Sequence, residues 1–286
     1  MNARFGSLLA MRSIGSSFLA AVAAVLISGG LVPWNAAADE PYPIWWSPSL
    51  ELDSLERIDE RLARDLPPSP PGLGALELYP EGEKDGEKRV PETCAELLDL
   101  RDRSYRARSK NGTRLMSHFE SWCRAVATFK TATPAEQSFV RDFAFDRDAV
   151  DYLPAFVVPA YSCYAICIQK EAHDRRISLA KLHAPLEITE ADGRRLVIET
   201  SLSRESVEIV GRADFTRDGQ EDLLVIGKST TLKTKDAEIG YQTQYYILTR
   251  DDPDSVLTVA DIKRYLCPGY ACAPPSDQPT ALRESD

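Results

Sequence analysis

Between Gly211 and Val225 the chain reads GRADFTRDGQEDLLV, and side-chain oxygens recur at alternate positions: Asp214, Thr216 and Asp218, then Asp222 after Gly219 and the backbone carbonyl of Gln220. Such spacing, with a glycine to tighten the turn, can gather several oxygens around one point, and a hard cation such as calcium takes about six to eight of them. It is not the EF-hand spacing, whose twelfth position is Glu where this chain has Val225. A second set able to ligate a metal is Cys163, Cys167, His173 and His183, spaced Cys-x3-Cys-x5-His-x9-His, a loose likeness to structural zinc patterns. Carboxylates are numerous enough to supply a hydrolytic pair of the kind used on glycosides, but nothing in the primary sequence selects one. The chain has no G-x-S-x-G and only three histidines, so nucleophilic catalysis has no visible constellation. Gly227-Lys228-Ser229-Thr230 matches the tail of a P-loop. It follows the strand-like Leu223-Leu224-Val225-Ile226 instead of a glycine-rich loop, so its amides could not cradle phosphate.

At Asp214, Asp218, Gly219 and Asp222 the segment resembles the FG-GAP calcium loop of integrin-type β-propeller blades, D-x-[DN]-x-D-G-x-x-D followed by an apolar strand. It also resembles single copies of that loop embedded in exported bacterial proteins of unknown function. The resemblance spans residues 211–225 and implies a hairpin loop in which the side chains of Asp214, Asp218 and Asp222 and the Gln220 carbonyl hold calcium. Thr216 stands where the family has Asp or Asn, and Arg217 adds a cation beside it. Both departures lower affinity, towards the weak extracellular range of about 10⁻⁴–10⁻³ M. One copy does not make a propeller, which needs repeated blades, so calcium here would be structural. Read from its residues alone, the same segment is a hairpin whose Asp218-Gly219 turn is capped by its own acids.

These residues must be positioned by the elements around them. Leu52, Leu55, Ile58 and Leu62 recur at three and four, predicting a helix over 54–65. The Pro/Gly-rich stretch to Arg89 that follows reads as a linker or surface loop, so 39–90 is taken as helix plus linker. Pro91 opens a helix to about Arg106, Asn111-Gly112 reads as a turn, and Leu115, Phe119, Trp122, Val126 and Phe129 form the stripe of a second helix. Thr133-Pro134-Ala135-Glu136 has the form of a capping box, predicting a third helix through Phe143 and a helical unit over 91–153. From 154 to 272 the pattern turns to β, with short strands at 186–188, 196–198, 207–210, 223–226, 241–248 and 256–259. The expected fold is therefore α+β, an N-terminal helical unit followed by an antiparallel β-meander, with 273–286 as a frayed tail.

Phe18 to Val32 is uncharged, follows Arg4 and Arg12, and leads to Ala36-Ala37-Ala38, the layout of a secretory signal peptide over 1–38. The expected product is periplasmic or secreted, with no later segment apolar enough to cross a bilayer. In an oxidising compartment six cysteines, Cys94, Cys123, Cys163, Cys167, Cys267 and Cys272, read as three disulfides before they read as metal ligands. Cys94 with Cys123 would join two helices, and Cys267 with Cys272 would close the Pro268-Gly269 turn, leaving Cys163 and Cys167. Cross-pairing of either with the late cysteines is the alternative. A net charge of −10 argues against nucleic acid as a partner. The expectation is a non-enzymatic envelope or binding protein. A secreted hydrolase working with carboxylates or the Cys/His set is the alternative. An inhibitor or adaptor that docks another exported protein through an exposed patch at Trp45 and Trp46 is a third reading.

Overall fold

In the run Leu223-Leu224-Val225-Ile226 successive side chains of a strand point to opposite faces, so an unbroken apolar run demands cover on both sides. The computed structural model describes residues 40–266 and Cys272, apart from 70–72, 84–85, 161, 201–202 and 235–236, with the side chains of 232–241 also left aside. The signal-type segment and the tail lie outside the described residues.

In chain order the elements are β1 (Trp45–Trp46), α1 (Ile58–Ala63), β2 (Tyr79–Pro80), α2 (Cys94–Asp102), β3 (Tyr105–Arg106), α3 (Lys110–Thr128), α4 (Cys163–Asp174) and α5 (Leu179–Leu182). The meander follows: β4 (Glu187–Ala191), β5 (Arg195–Glu199), β6 (Ser203–Ala213), β7 (Asp222–Thr234), β8 (Ala237–Thr249) and β9 (Thr258–Val259). All neighbours pair antiparallel in that order, while β1 pairs the far end of β6 beyond β5, Trp45 opposite Arg212 and Trp46 opposite Gly211. The expected α+β class with an antiparallel meander is what forms.

One face of the sheet, with Leu224 and Ile226 of β7 and Tyr245 of β8, packs on α1, α2 and α3 through Leu97, Leu115, Phe119 and Phe129. The other, with Leu223, Val225 and Tyr246, packs on residues 140–158 and α5. Both covers press close. A Cβ on Gly227 would lie 2.3 Å from the carbonyl oxygen of Val157, and one on Gly211 2.4 Å from the Phe129 ring. Backbone edges are covered too: Ser117 and Ser121 of α3 donate to the Thr243 carbonyl of β8 at 2.6 and 2.8 Å, closing an edge that β9 does not reach.

Several expectations change. The segment 132–147 forms no helix; Thr133, Ala135, Glu136 and Gln137 give their amides to other parts of the chain, and Thr133 Oγ1 turns to Asp214, so the capping-box residues cap nothing. Asn111-Gly112 lies inside the first turn of α3, which Ser109 caps by accepting from the Gly112 amide. The linker-like stretch carries Leu76 and Leu78 into the core. Trp45 and Trp46 belong to the sheet, Trp46 edge-on to Phe129 and donating to the Leu52 carbonyl, so they form no exposed docking patch. Among the described residues the exposed large apolar side chains are Val90 and Tyr164.

Cys94 and Cys123 are bonded, as expected, and clamp α2 to α3. Cys272 pairs with Cys167, 105 residues away in sequence, and not with Cys267. Tertiary packing decides this: α4 is held near the end of the chain because the Val259 amide donates to His173 Nε2. Cys163 is disulfide-bonded as well.

Candidate functional site

The Asp-rich loop joins β6 to β7, and its carboxylates turn inward onto its own backbone. Asp214 Oδ1 accepts from the amides of Arg217 at 2.5 Å and Asp218 at 3.2 Å, and its Oδ2 accepts from Gly219 at 2.9 Å. These bonds hold Arg217 and Gly219 in the left-handed region, φ 64° and 84°, which is costly for the arginine and natural for the glycine. Asp222 Oδ2 accepts from the amides of Phe215 and Thr216 and from the Thr216 hydroxyl at 2.9–3.0 Å. Asp218 Oδ1 caps the Gln220 amide. Burial, opposed by the Thr216 and Phe215 hydrogen bonds, pushes the Asp222 carboxyl up to about 6.

The outside of the loop grips the segment that sequence periodicity makes a helix. Thr133 and Asp214 exchange backbone hydrogen bonds, the Gly219 carbonyl accepts from Glu136 and Gln137, and the Glu221 amide donates to Gln137. Ser138 Oγ donates to Glu221 at 2.6 Å, while the Arg212 guanidinium donates to the Val140 and Phe143 carbonyls. The arrangement is a clasp. Among the buried side-chain oxygens of the loop, Asp222 Oδ1 and Gln220 Oε1 have no hydrogen-bond partner, while both oxygens of Asp214 and Oδ2 of Asp222 are taken by amides and the Thr216 hydroxyl. Among the described residues no three Asp, Glu, His or Cys side chains converge as a metal would need. As folded, three of the four carboxylate oxygens of Asp214 and Asp222 are engaged by the loop's own amides and the Thr216 hydroxyl.

The zinc-type set is not assembled. Cys163 and Cys167 are held in disulfides, and His173 Nε2 accepts from the Val259 amide. Burial, chiefly, lowers the His173 and His183 pKa values. The third histidine, His118 on α3, is pushed down to about 4 by burial and then by Lys228.

His183 has another place. With Val158, Leu179, Leu186, Ile198 and Glu205 it lines a cavity of about 390 Å³ beside β5 and β6, within the span of small-molecule sites, roughly 300–1,000 Å³. Glu205 is 7% exposed, and on β6 it shares a face with Val207 and Ile209, opposite Ile198 on β5 and Ser229 on β7. Ser229 donates to Glu205 Oε1 at 2.9 Å, whereas Glu205 Oε2 and His183 Nε2 are buried without hydrogen-bond partners. Ser203 and Thr200 share a 3.0 Å hydroxyl contact at the rim. Burial pushes the Glu205 carboxyl up to about 7, the Ser203 and Ser229 hydroxyls pulling it partly back. Sequence reading passed over Glu205 because it starts the strand only at Val207. The available signal was alternation, since Glu205 falls two positions before Val207 and four before Ile209 on one side of a strand.

A second cavity, about 460 Å³, lies by Phe143, Tyr152 and Arg250. Both of its arginines are engaged: Arg250 is stacked on both rings and donates to the Ser255 carbonyl, and Arg141 lies over the Tyr42 ring. Of these two cavities, among the described residues, it is the Glu205 cavity whose lining holds buried side-chain polar atoms without partners.

The raised carboxyl has a consequence for stability. The folded protein keeps a proton on Glu205 that the unfolded chain releases, so this group's contribution is fully present below about pH 4.5 and is lost as pH rises through about 7. The ceiling is about 3 kcal/mol, and Gln at 205 brings an amide that needs a partner of its own. Glu205→Gln is therefore expected to be more stable than the parent by about 2 kcal/mol at pH 8, with little or no gain at pH 4.5. Urea unfolding at the two pH values measures this; an equal effect at both would contradict it.

Comparison with known proteins gives no match: no family model, no curated protein and no solved structure aligns with this chain.

Proposed function

We propose that the protein is an exported, non-enzymatic binding protein whose ligand seat is the cavity formed by Glu205, His183 and the apolar side chains around them. The observation that carries this reading is that two residues lining that cavity, Glu205 and His183, each hold a buried polar atom, Oε2 and Nε2, without a hydrogen-bond partner. Buried polar groups are almost always satisfied, and a ligand would satisfy these. Export is supported by the signal-type segment Phe18 to Ala38 and by the disulfides, and no helix among the described residues is long and apolar enough to cross a membrane. The Asp214–Asp222 loop serves this function indirectly, as a metal-free clasp that fastens the cover of the sheet.

The test is a thermal-shift screen of small amphiphiles against the parent and Leu186→Trp, which fills the cavity from its rim. A ligand at a hundred times its Kd adds about 2.7 kcal/mol, roughly 5–10 °C for a chain of this size. At least one chemical class is expected to raise the parent's midpoint and to leave Leu186→Trp unmoved. Shifts of equal size in both proteins would remove the cavity as the seat.

A hydrolase is the second reading: Glu205 is a buried carboxyl in the lining of a cavity, and burial pushes it up to about 7, which suits a general acid working at neutral pH. Turnover of any substrate that Glu205→Gln abolishes while ligand binding persists would establish it.

A further inference from the structure

Taking that cavity as the ligand seat, its polar atoms select among ligands. Glu205 is its ionisable acid, and among the described residues neither Lys nor Arg lines the walls. The groups facing Glu205 are Ser229 from β7, the Tyr246 phenol from β8 and Ser203 from its own strand, with His183 at the wall; β5 contributes Ile198. Lys228, next to Ser229, projects to the opposite face, where it acts on His118. Tyr246 is held neutral by burial, and burial favours neutral imidazole at His183. The walls therefore offer acceptors and one negative charge, with no cation to receive an anionic ligand.

We infer that the cavity takes a small organic cation, a primary amine on a short apolar body, with its ammonium donating to Glu205 Oε2 and His183 Nε2 and its carbons against Leu179, Leu186 and Ile198. An N–H donor with a positive charge answers a desolvated carboxylate better than a hydroxyl does, because charge-assisted hydrogen bonds are roughly twice as strong as neutral ones. A carboxylate ligand would meet like charge in a low-dielectric site and is disfavoured. An aliphatic amine stays protonated across the neutral range, as a lysine does. Binding then requires ionised Glu205, so protons compete with the ligand for one group.

The experiment is isothermal titration calorimetry of the disulfide-intact full chain with hexylamine, hexanol and hexanoate, probes of one body and three head groups. Hexylamine is expected to bind at least tenfold more tightly than the other two at pH 8. Glu205→Gln should weaken hexylamine at least tenfold and hexanol far less, so that the preference for the amine is lost. With a carboxyl near 7, the parent's affinity for hexylamine should fall about tenfold between pH 8 and pH 6, and that of Glu205→Gln should not. Leu186→Trp should remove binding of every probe; Ala184→Phe, at an exposed rim position, replaces it should the first variant not fold. Hexanol or hexanoate binding as well as hexylamine, with Leu186→Trp still blocking, would overturn the amine assignment and keep the cavity as the seat. No binding by any probe, or binding untouched by the blocking variants, would remove both.

Discussion

Replacing Asp214 by Ala is expected to lower the unfolding midpoint by roughly 6–12 °C, an effect of about 3 kcal/mol. Asp214 is 4% exposed and holds the amides of Arg217, Asp218 and Gly219, and its own backbone is paired to Thr133. Removing the carboxylate orphans three donors, releases Arg217 from the left-handed conformation those bonds impose, and loosens the clasp on residues 133–140. Water can reach the exposed residues 216–218, which keeps the cost below three full desolvation penalties. Asp214→Asn should fall between parent and Ala, because its amide can accept at one oxygen only. Millimolar calcium is expected to leave the parent midpoint where it is with chelator, since both oxygens of Asp214 and Oδ2 of Asp222 already accept from amides and too few carboxylate oxygens remain free for an ion. A rise with calcium that Asp222→Asn abolishes would show the loop reorganising around the ion and would overturn the metal-free clasp. Calorimetry of parent and variants, each with calcium and with chelator, reads all of this in one series.

The Cys94→Ala/Cys123→Ala double variant is expected to lose about 3–4 kcal/mol, roughly 7–14 °C. The bond closes 29 residues, and both sulfurs are fully buried between α2 and α3. Its removal adds a packing loss to the freedom regained by the unfolded chain. The neighbouring Arg101–Glu120 pair, 2.6 Å apart, spans the same two helices and gives little compensation, since a partly solvated ion pair contributes modestly. Deleting Cys167–Cys272 should cost less despite its longer loop, because Cys163 in the same helix α4 remains bonded and keeps part of the constraint. Equal losses for the two deletions would mean that loop length outweighs burial in this protein.

The legible parts of this protein were those where neighbouring residues decide the outcome. The six predicted strands appear in order as the meander because alternation and turn chemistry act within a few residues, and Asp218-Gly219 turns the chain for the same reason. The stripe from Leu115 to Phe129 becomes α3, and the helix spacing around Cys94 and Cys123 already brought that pair together. Tertiary structure decided the rest. Thr133 to Phe143 carries local helix signals, yet those signals are worth about 1 kcal/mol each, less than the backbone hydrogen bonds and Arg212 contacts that the folded loop offers the same residues. The pairing of Cys167 with Cys272 depends on where α4 lands, which no spacing encodes. The loop's oxygens are close together in sequence, but whether they face an ion or their own amides turns on backbone angles that composition leaves open. Glu205 and His183 are 22 residues apart in sequence and become one cavity only when the turn after α5 settles against β5 and β6. Sequence by itself determined α3, the order of the meander strands and the Cys94–Cys123 pair; the juxtaposition of groups that could bind something belongs to long-range packing, where the free energy is shared among residues far apart in the chain.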